Sequence, residues 1–139
     1  IDAFMKEASE KGLGGACLKH ITHSDFIKRM DLAYAAADVV ISRSGASSIS
    51  ELCAAHKASI FVPSPNVTED HQTHNAMALV RKDAGMIVKD AEAQEKLMAT
   101  ACGLMEDPER IALMEKNIAA LAKRDAAETI VNEVYRILR

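Results

Sequence analysis

Two short polar clusters hold the residues of this chain whose types and spacing can do chemistry. The first runs Arg43-Ser44-Gly45-Ala46-Ser47-Ser48-Ile49-Ser50-Glu51. An apolar run, Val39-Val40-Ile41, stops just before it, and Ile49, Leu52 and Cys53 then recur at i, i+3 and i+4. This reads as a buried strand, a tight glycine-bearing turn and a helix opening at the strand's carboxyl end. Such a turn gathers unpaired backbone N–H groups and the positive end of a helix dipole, a combination that suits a phosphate. Glu51 lies one turn inside, on the face shared with Ser47 and Ser48. A carboxylate there can accept hydrogen bonds from paired hydroxyls of the kind ribose presents. A second reading stands beside this one. Ser48-Ile49-Ser50-Glu51 also fits the S-x-x-E capping box, in which Glu51 ties back to its own helix, and Gly45 can serve a turn that needs a positive φ.

The second cluster is Glu69-Asp70-His71-Gln72-Thr73-His74-Asn75. At helical spacing His71, Gln72 and Asn75 share one sector at a helix start. Amides and a neutral imidazole suit sugar hydroxyls, which need donors and acceptors rather than charge. Equally, Asp70 can be a plain N-cap and Asn75 can satisfy backbone groups. His71 and His74 form an i, i+3 pair with no third ligand nearby, so no metal is expected. No serine has a histidine and an acid at nucleophile spacing, so a hydrolase triad is not expected either.

The elements that must position these clusters alternate along the chain. Residues 2–11 read as a helix ended by Gly12, Gly14 and Gly15, and Ala16 to Ile21 as a strand. Ser24 or Asp25 is placed to cap a helix to about Ala37, with Ile27, Met30, Ala33, Tyr34 and Ala37 on its apolar face. The Val39–Ile41 strand and a helix to about His56 follow. A strand over Ser59 to Val62 stops at Pro63-Ser64-Pro65-Asn66. A helix is expected from near Asp70 to Gly85, then a short strand over Met86 to Lys89. Residues 91–106, 109–123 and 125–138 read as three helices, with Pro108 in a first turn. Two apolar stripes mark the last two: Ile111, Met114, Ile118 and Leu121, then Ile130, Val131, Val134 and Leu138.

This order predicts an α/β fold: a Rossmann-like parallel sheet with helices on both faces and a helical tail after residue 90, all within one domain over 1–139. Right-handed crossovers would bring the loops over 22–27, 42–48 and 63–72 to one edge, outside the carboxyl ends of the strands. Such folds usually open with a strand and a glycine-rich phosphate loop, whereas this chain opens with a helix, so a leading strand is expected to be missing.

Composition sets the limits. With 139 residues, 49% hydrophobic and 27% charged, the chain is long enough for a real core and is not of disordered type. A net charge of −3 argues against nucleic acid as the main partner. No run of roughly 18 apolar residues appears. The three cysteines, Cys17, Cys53 and Cys102, sit in apolar surroundings and read as buried free thiols.

RSGASSISE followed, across a strand and FVP, by EDHQTHNA resembles the C-terminal half of the MurG family of peptidoglycan N-acetylglucosaminyltransferases, a two-Rossmann-domain (GT-B) class. The match runs from about Thr22 to Lys89. The resemblance implies transfer of GlcNAc from UDP-GlcNAc to lipid I, the lipid-linked muramoyl-pentapeptide, at the cytoplasmic face of the bacterial membrane, with no metal and no cofactor. Carried over residue by residue, it places Phe26 and Ile27 at the uracil edge with Met30 nearby. Arg43, Ser44, Gly45 and Ala46 fall beside the diphosphate and sugar, and Ser48 next to the nucleotide. Glu51 matches the acid holding the ribose hydroxyls, which favours ligand over cap without excluding both. His71 and Gln72 match a polar pair facing the GlcNAc hydroxyls, and Asn75 follows in the same motif. It further implies a missing N-terminal domain that carries the acceptor site, the catalytic base and the membrane contact. This chain is then a donor half, inactive alone and without catalytic residues, whose last helix crosses to that domain. His56-Lys57-Ala58 stands where the family usually has a Gly-x-Pro turn. Two other readings are a complete small donor-binding subunit working with a separate membrane-bound acceptor subunit, and another nucleotide-sugar enzyme of the same fold, such as a UDP-sugar 2-epimerase.

Overall fold

A computed structural model describes residues 20–66 and 68–138. It divides into two units, Ile1–Ala33 and Tyr34–Arg139. The helix expected over 2–11, nearly all of the strand expected over Ala16–Ile21, and Cys17 lie outside the described residues; Ile21 is described and is not in a strand.

Residues 21–29 of the first unit are irregular, and helix α1, Met30–Ala36, whose last three residues belong to the second unit, starts four or five residues later than a cap at Asp25 or Ser24 predicts. The reason is local. The Ser24 hydroxyl donates to the Phe26 carbonyl at 2.8 Å instead of accepting from a backbone N–H, so it closes a loop rather than capping a helix. Arg29 forks onto both carboxylate oxygens of Asp31, and Asp31 stands in the first turn of α1, where a negative charge is favourable.

The second unit is built on three parallel strands, β1 (Val39–Ser42), β2 (Ala58–Phe61) and β3 (Met86–Ile87), in the order β1-β2-β3. Val39 pairs with Ala58 and Ser42 with Phe61, while Ile60 pairs with Met86. The helices are α2 (Ala46–Ala55), α3 (His71–Val80), α4 (Ala93–Met105), α5 (Pro108–Ala119) and α6 (Ala126–Ile137). β2 is buried at every position, as a central strand must be. Its side chains alternate between faces. Phe61 joins Leu52 and Cys53 of α2, Ala76 and Leu79 of α3, and Ile118. Ala58 and Ile60 join Val88, Leu104 of α4 and Met114 of α5. Helices thus cover both faces of the sheet, as its sequence pattern predicted.

Element ends differ from expectation where distant residues intervene. α3 stops at Val80 rather than Gly85. The turn after it holds Asp83 at φ 51°, and two α5 side chains pin that turn: Asn117 donates to the Asp83 carbonyl and Arg110 to its carboxylate. Pro108 does open α5, with Asp107 accepting from the Arg110 N–H at 2.9 Å as cap. Cys53 is buried, but Cys102 is exposed, correcting its reading as a buried thiol: the apolar face of α4 turns Leu104, not Cys102, into the core. The α5 stripe is interior, with Met114 and Ile118 fully buried. α6 has no buried residue, and its Ile130, Val131 and Val134, with Leu138 just beyond it, are all at least half exposed.

Candidate functional site

At the carboxyl edge of the sheet, β1 runs through Ser42, Arg43 and Ser44 into α2. The N-cap of α2 is Gly45, with φ −64° and ψ 151°, and no side chain caps the helix. The first intrahelical bond is Ile49 N–H to Gly45 O at 3.0 Å, so the N–H groups of Ala46, Ser47 and Ser48 have no helical acceptor. This geometry overturns the capping-box reading. The helix begins at Ala46, which puts Ser48 in the third helical position and Glu51 a turn beyond any cap. It also overturns the positive-φ reading of Gly45, whose backbone is ordinary extended chain. A Cβ on Gly45 would meet no atom of this chain closer than Ser48 Oγ at 3.9 Å. Neither backbone conformation nor internal packing therefore demands glycine, and what its bareness does is leave the end of α2 open to close approach.

The side chains around this turn bond mainly to one another. Ser44 is fully buried, and its hydroxyl donates to the Gln72 carbonyl at 2.8 Å. Asn75 returns the tie, Nδ2 to the Ser44 carbonyl at 3.2 Å. The Gln72 Oε1 accepts from the Ser64 N–H at 2.9 Å, which fixes the loop after β2 against α3. Arg43 Nη1 donates to the carbonyls of Val62 and Pro63 at 3.1 and 3.3 Å and pairs with Asp90 beyond β3. One guanidinium thus holds the ends of all three strands together.

α3 begins under strain. Glu69 and Asp70 both have left-handed backbones, φ 55° and 50°, which non-glycine residues adopt rarely. Asp70 makes no side-chain cap bond; its carboxylate accepts from Thr73 Oγ1 at 2.6 Å. His71 and His74 are exposed. Among the described residues no group of three or more His, Cys, Asp or Glu is placed to hold a metal ion.

Glu51 is exposed on α2, and its Oε2 accepts from the Tyr34 hydroxyl at 3.0 Å. Burial of Tyr34, with the bond and charge of Glu51 next, pushes the phenol's pKa up. Phe26, Ile27 and Met30 belong to the first unit, where all three are exposed. Of the residues singled out in the sequence, the structure brings Arg43, Ser44, Gly45, Ala46, Ser48, Gln72 and Asn75 to one edge, with Glu51 a turn along α2 and His71 at the start of α3. Tyr34, Asp90 and the Ser64 backbone were missed. The sequence pattern marks Tyr34 only as an apolar helix position, and Asp90 is 47 residues from Arg43, beyond any local pattern.

Residues 4–130 match the model of the glycosyltransferase family 28 C-terminal domain. The chain is 55% identical over 115 residues, 83% of its length, to a Parabacteroides distasonis protein named UDP-N-acetylglucosamine--N-acetylmuramyl-(pentapeptide) pyrophosphoryl-undecaprenol N-acetylglucosamine transferase, covering 31% of that protein. It is 52% identical over 120 residues, 86% of its length, to the Bacteroides thetaiotaomicron protein of the same name, covering 32% of it. The crystal structure of Acinetobacter baumannii MurG superposes with a TM-score of 0.77 at 28% identity, covering 84% of this chain and 35% of that one. The chain thus spans about a third of the length of the relatives it matches.

Proposed function

The chain belongs to the glycosyltransferase family 28 C-terminal domain family, and from that premise we propose that it is the donor-binding part of a hexosyltransferase that moves GlcNAc from UDP-GlcNAc to lipid I. Such an enzyme makes lipid II for peptidoglycan at the cytoplasmic face of the membrane, where it sits peripherally. No helix among the described residues is long and apolar enough to cross a membrane. The observation that carries the reading is the uncapped N-terminus of α2, opened by Gly45, with Glu51 one turn behind it and released from any capping role.

In this reading the N–H groups of Ala46 to Ser48 and the dipole of α2 receive the diphosphate. As the leaving UDP gains charge they stabilise it, as preorganised donors do at a developing oxyanion. Glu51 accepts the ribose hydroxyls, Phe26 and Ile27 meet the uracil with Met30 nearby, and His71 and Gln72 stand toward the GlcNAc, with Asn75 next in the same motif and tied to the Ser44 carbonyl. Arg43 and Ser44 shape the turn. The acceptor site and the catalytic base belong to a domain outside this chain.

Glu51→Gln tests the assignment. Two charge-assisted hydrogen bonds become neutral ones, a loss on the order of 1.5–3 kcal/mol, or roughly ten- to hundredfold in UDP affinity. Because the side chain caps nothing and a glutamine oxygen can still accept from the Tyr34 hydroxyl, the melting temperature should move little. UDP without ribose hydroxyls should bind wild type and variant equally. Unchanged UDP affinity in the variant would overturn the assignment.

A further inference from the structure

An exposed glutamate has three side-chain torsions, and ordering it against two vicinal hydroxyls costs rotamer entropy at the moment of binding. The usual helper, a capping box, is not available to Glu51 in this fold, because α2 begins too early. The Tyr34 hydroxyl stands in that place, 3.0 Å from Oε2. Its own ring is anchored: it packs, partly buried, against the cluster of Leu52, Cys53 and Phe61. A phenol ring has only two torsions, so the donor is rigid where the acceptor is not. A carboxylate that accepts one hydrogen bond on Oε2 still offers all of Oε1 and a lone pair of Oε2, enough for a diol.

We propose that Tyr34 is a positioning residue for a ligand carrying vicinal hydroxyls: its phenol holds the Glu51 carboxylate in the orientation that meets them. This rests on the reading of Glu51 as the ribose acceptor. The raised pKa of the phenol keeps the donor protonated throughout the neutral range.

Tyr34→Phe removes the hydroxyl and keeps the ring, so the core beneath it stays filled. The test titrates UDP and 2′,3′-dideoxy-UDP into the 139-residue chain by ligand-observed NMR, which reads millimolar affinities, for wild type, Tyr34→Phe, Glu51→Gln and the double variant. The expected result is a loss of about three- to tenfold in UDP affinity for Tyr34→Phe, the worth of one hydrogen bond. The dideoxy ligand should bind as before, and the double variant should be no weaker than Glu51→Gln alone. If Tyr34→Phe binds UDP as wild type does while Glu51→Gln is impaired, the positioning role is wrong and the ribose reading survives. If neither variant differs from wild type, or wild type binds no UDP, the ribose reading itself fails. Equal losses for both ligands would mean a general structural role and overturn the proposal. A ligand-free readout accompanies it. The chain has two tyrosines, so in a Tyr135→Phe background the ultraviolet titration reports Tyr34 alone. Glu51→Gln should shift its ionisation to lower pH, and an unmoved titration would show that the two groups do not meet.

Discussion

Ser44→Ala separates building a site from touching its ligand. Ser44 has no exposed surface, so its hydroxyl reaches a ligand only if the turn reorganises; its bond goes to the Gln72 carbonyl at 2.8 Å. Removing it forfeits one neutral hydrogen bond, a net loss of about 0.5–1.5 kcal/mol. The orphaned carbonyl is not left bare, because it lies in the first turn of α3, where the helix ladder offers a second donor. The Asn75 bond to the Ser44 backbone carbonyl survives the substitution. The cost should therefore fall near the middle of that range, about 1 kcal/mol, which lowers the melting temperature by roughly 3–6 °C for a domain of this size. With no tryptophan in the chain, far-ultraviolet circular dichroism is the natural probe. UDP affinity should fall by less than about threefold, since 1.4 kcal/mol is a full factor of ten and only part of the lost order reaches the ligand. A tenfold loss of affinity with an unmoved melting temperature would refute the reasoning and place the hydroxyl on the ligand.

Gly85→Ala would put a Cβ 2.6 Å from Cε2 of the fully buried Phe61, so urea denaturation should show a loss of about 1–3 kcal/mol; a neutral result would mean the ring swings freely. Asp90→Ala should cost less than about 1 kcal/mol, because its pair with Arg43 is partly exposed. Arg43→Ala should cost more, about 1–2 kcal/mol, since it also abandons the Val62 and Pro63 carbonyls, and equal costs would show those bonds to be idle. Iodoacetamide should label exposed Cys102 well before buried Cys53, read peptide by peptide by mass spectrometry. Burial raises the Cys53 pKa above its ordinary 9.0, so the stabilisation tied to its neutral thiol is complete below about pH 9 and fades as pH rises through the folded value. Equal labelling rates at pH 8 would contradict this.

Strands β1 and β2 were legible because continuous apolar runs bounded by polar turns leave little else for a buried segment to be. Helix starts were less so. Ser24 and Ser48 both carry the right chemistry for a cap, yet one hydroxyl turns to a neighbouring carbonyl and the other is overtaken by a helix that begins two residues earlier. The far end of α3 was misjudged for a tertiary reason. Gly85 looks like a helix stop, but its bareness accommodates the Phe61 ring, while the chain turns earlier, at a bend fastened by α5 from 27 and 34 residues away. The site shows the same limit. Polar residue types marked which loops meet, but not whether each polar atom faces a ligand or another loop.

That distinction has an energetic basis. Glu69 and Asp70 are both left-handed, at a cost of about 1–3 kcal/mol each, and they set the direction in which α3 leaves the loop. Three bonds oppose that cost: Ser44 to Gln72, Asn75 to Ser44 and Ser64 to Gln72. At about 0.5–1.5 kcal/mol each, they contribute much the same total. The polar side chains named by the sequence at Ser44, Gln72 and Asn75 thus hold a strained loop in place. On the proposed donor-site reading, recognition then falls chiefly to the backbone N–H groups of Ala46 to Ser48, which need no ordering, and to Glu51, which the Tyr34 hydroxyl orders. On that same reading, contacts at exposed His71 can reset a loop held with so narrow a margin, so adjustment on binding should be concentrated at the proposed GlcNAc end and be least at the proposed diphosphate end.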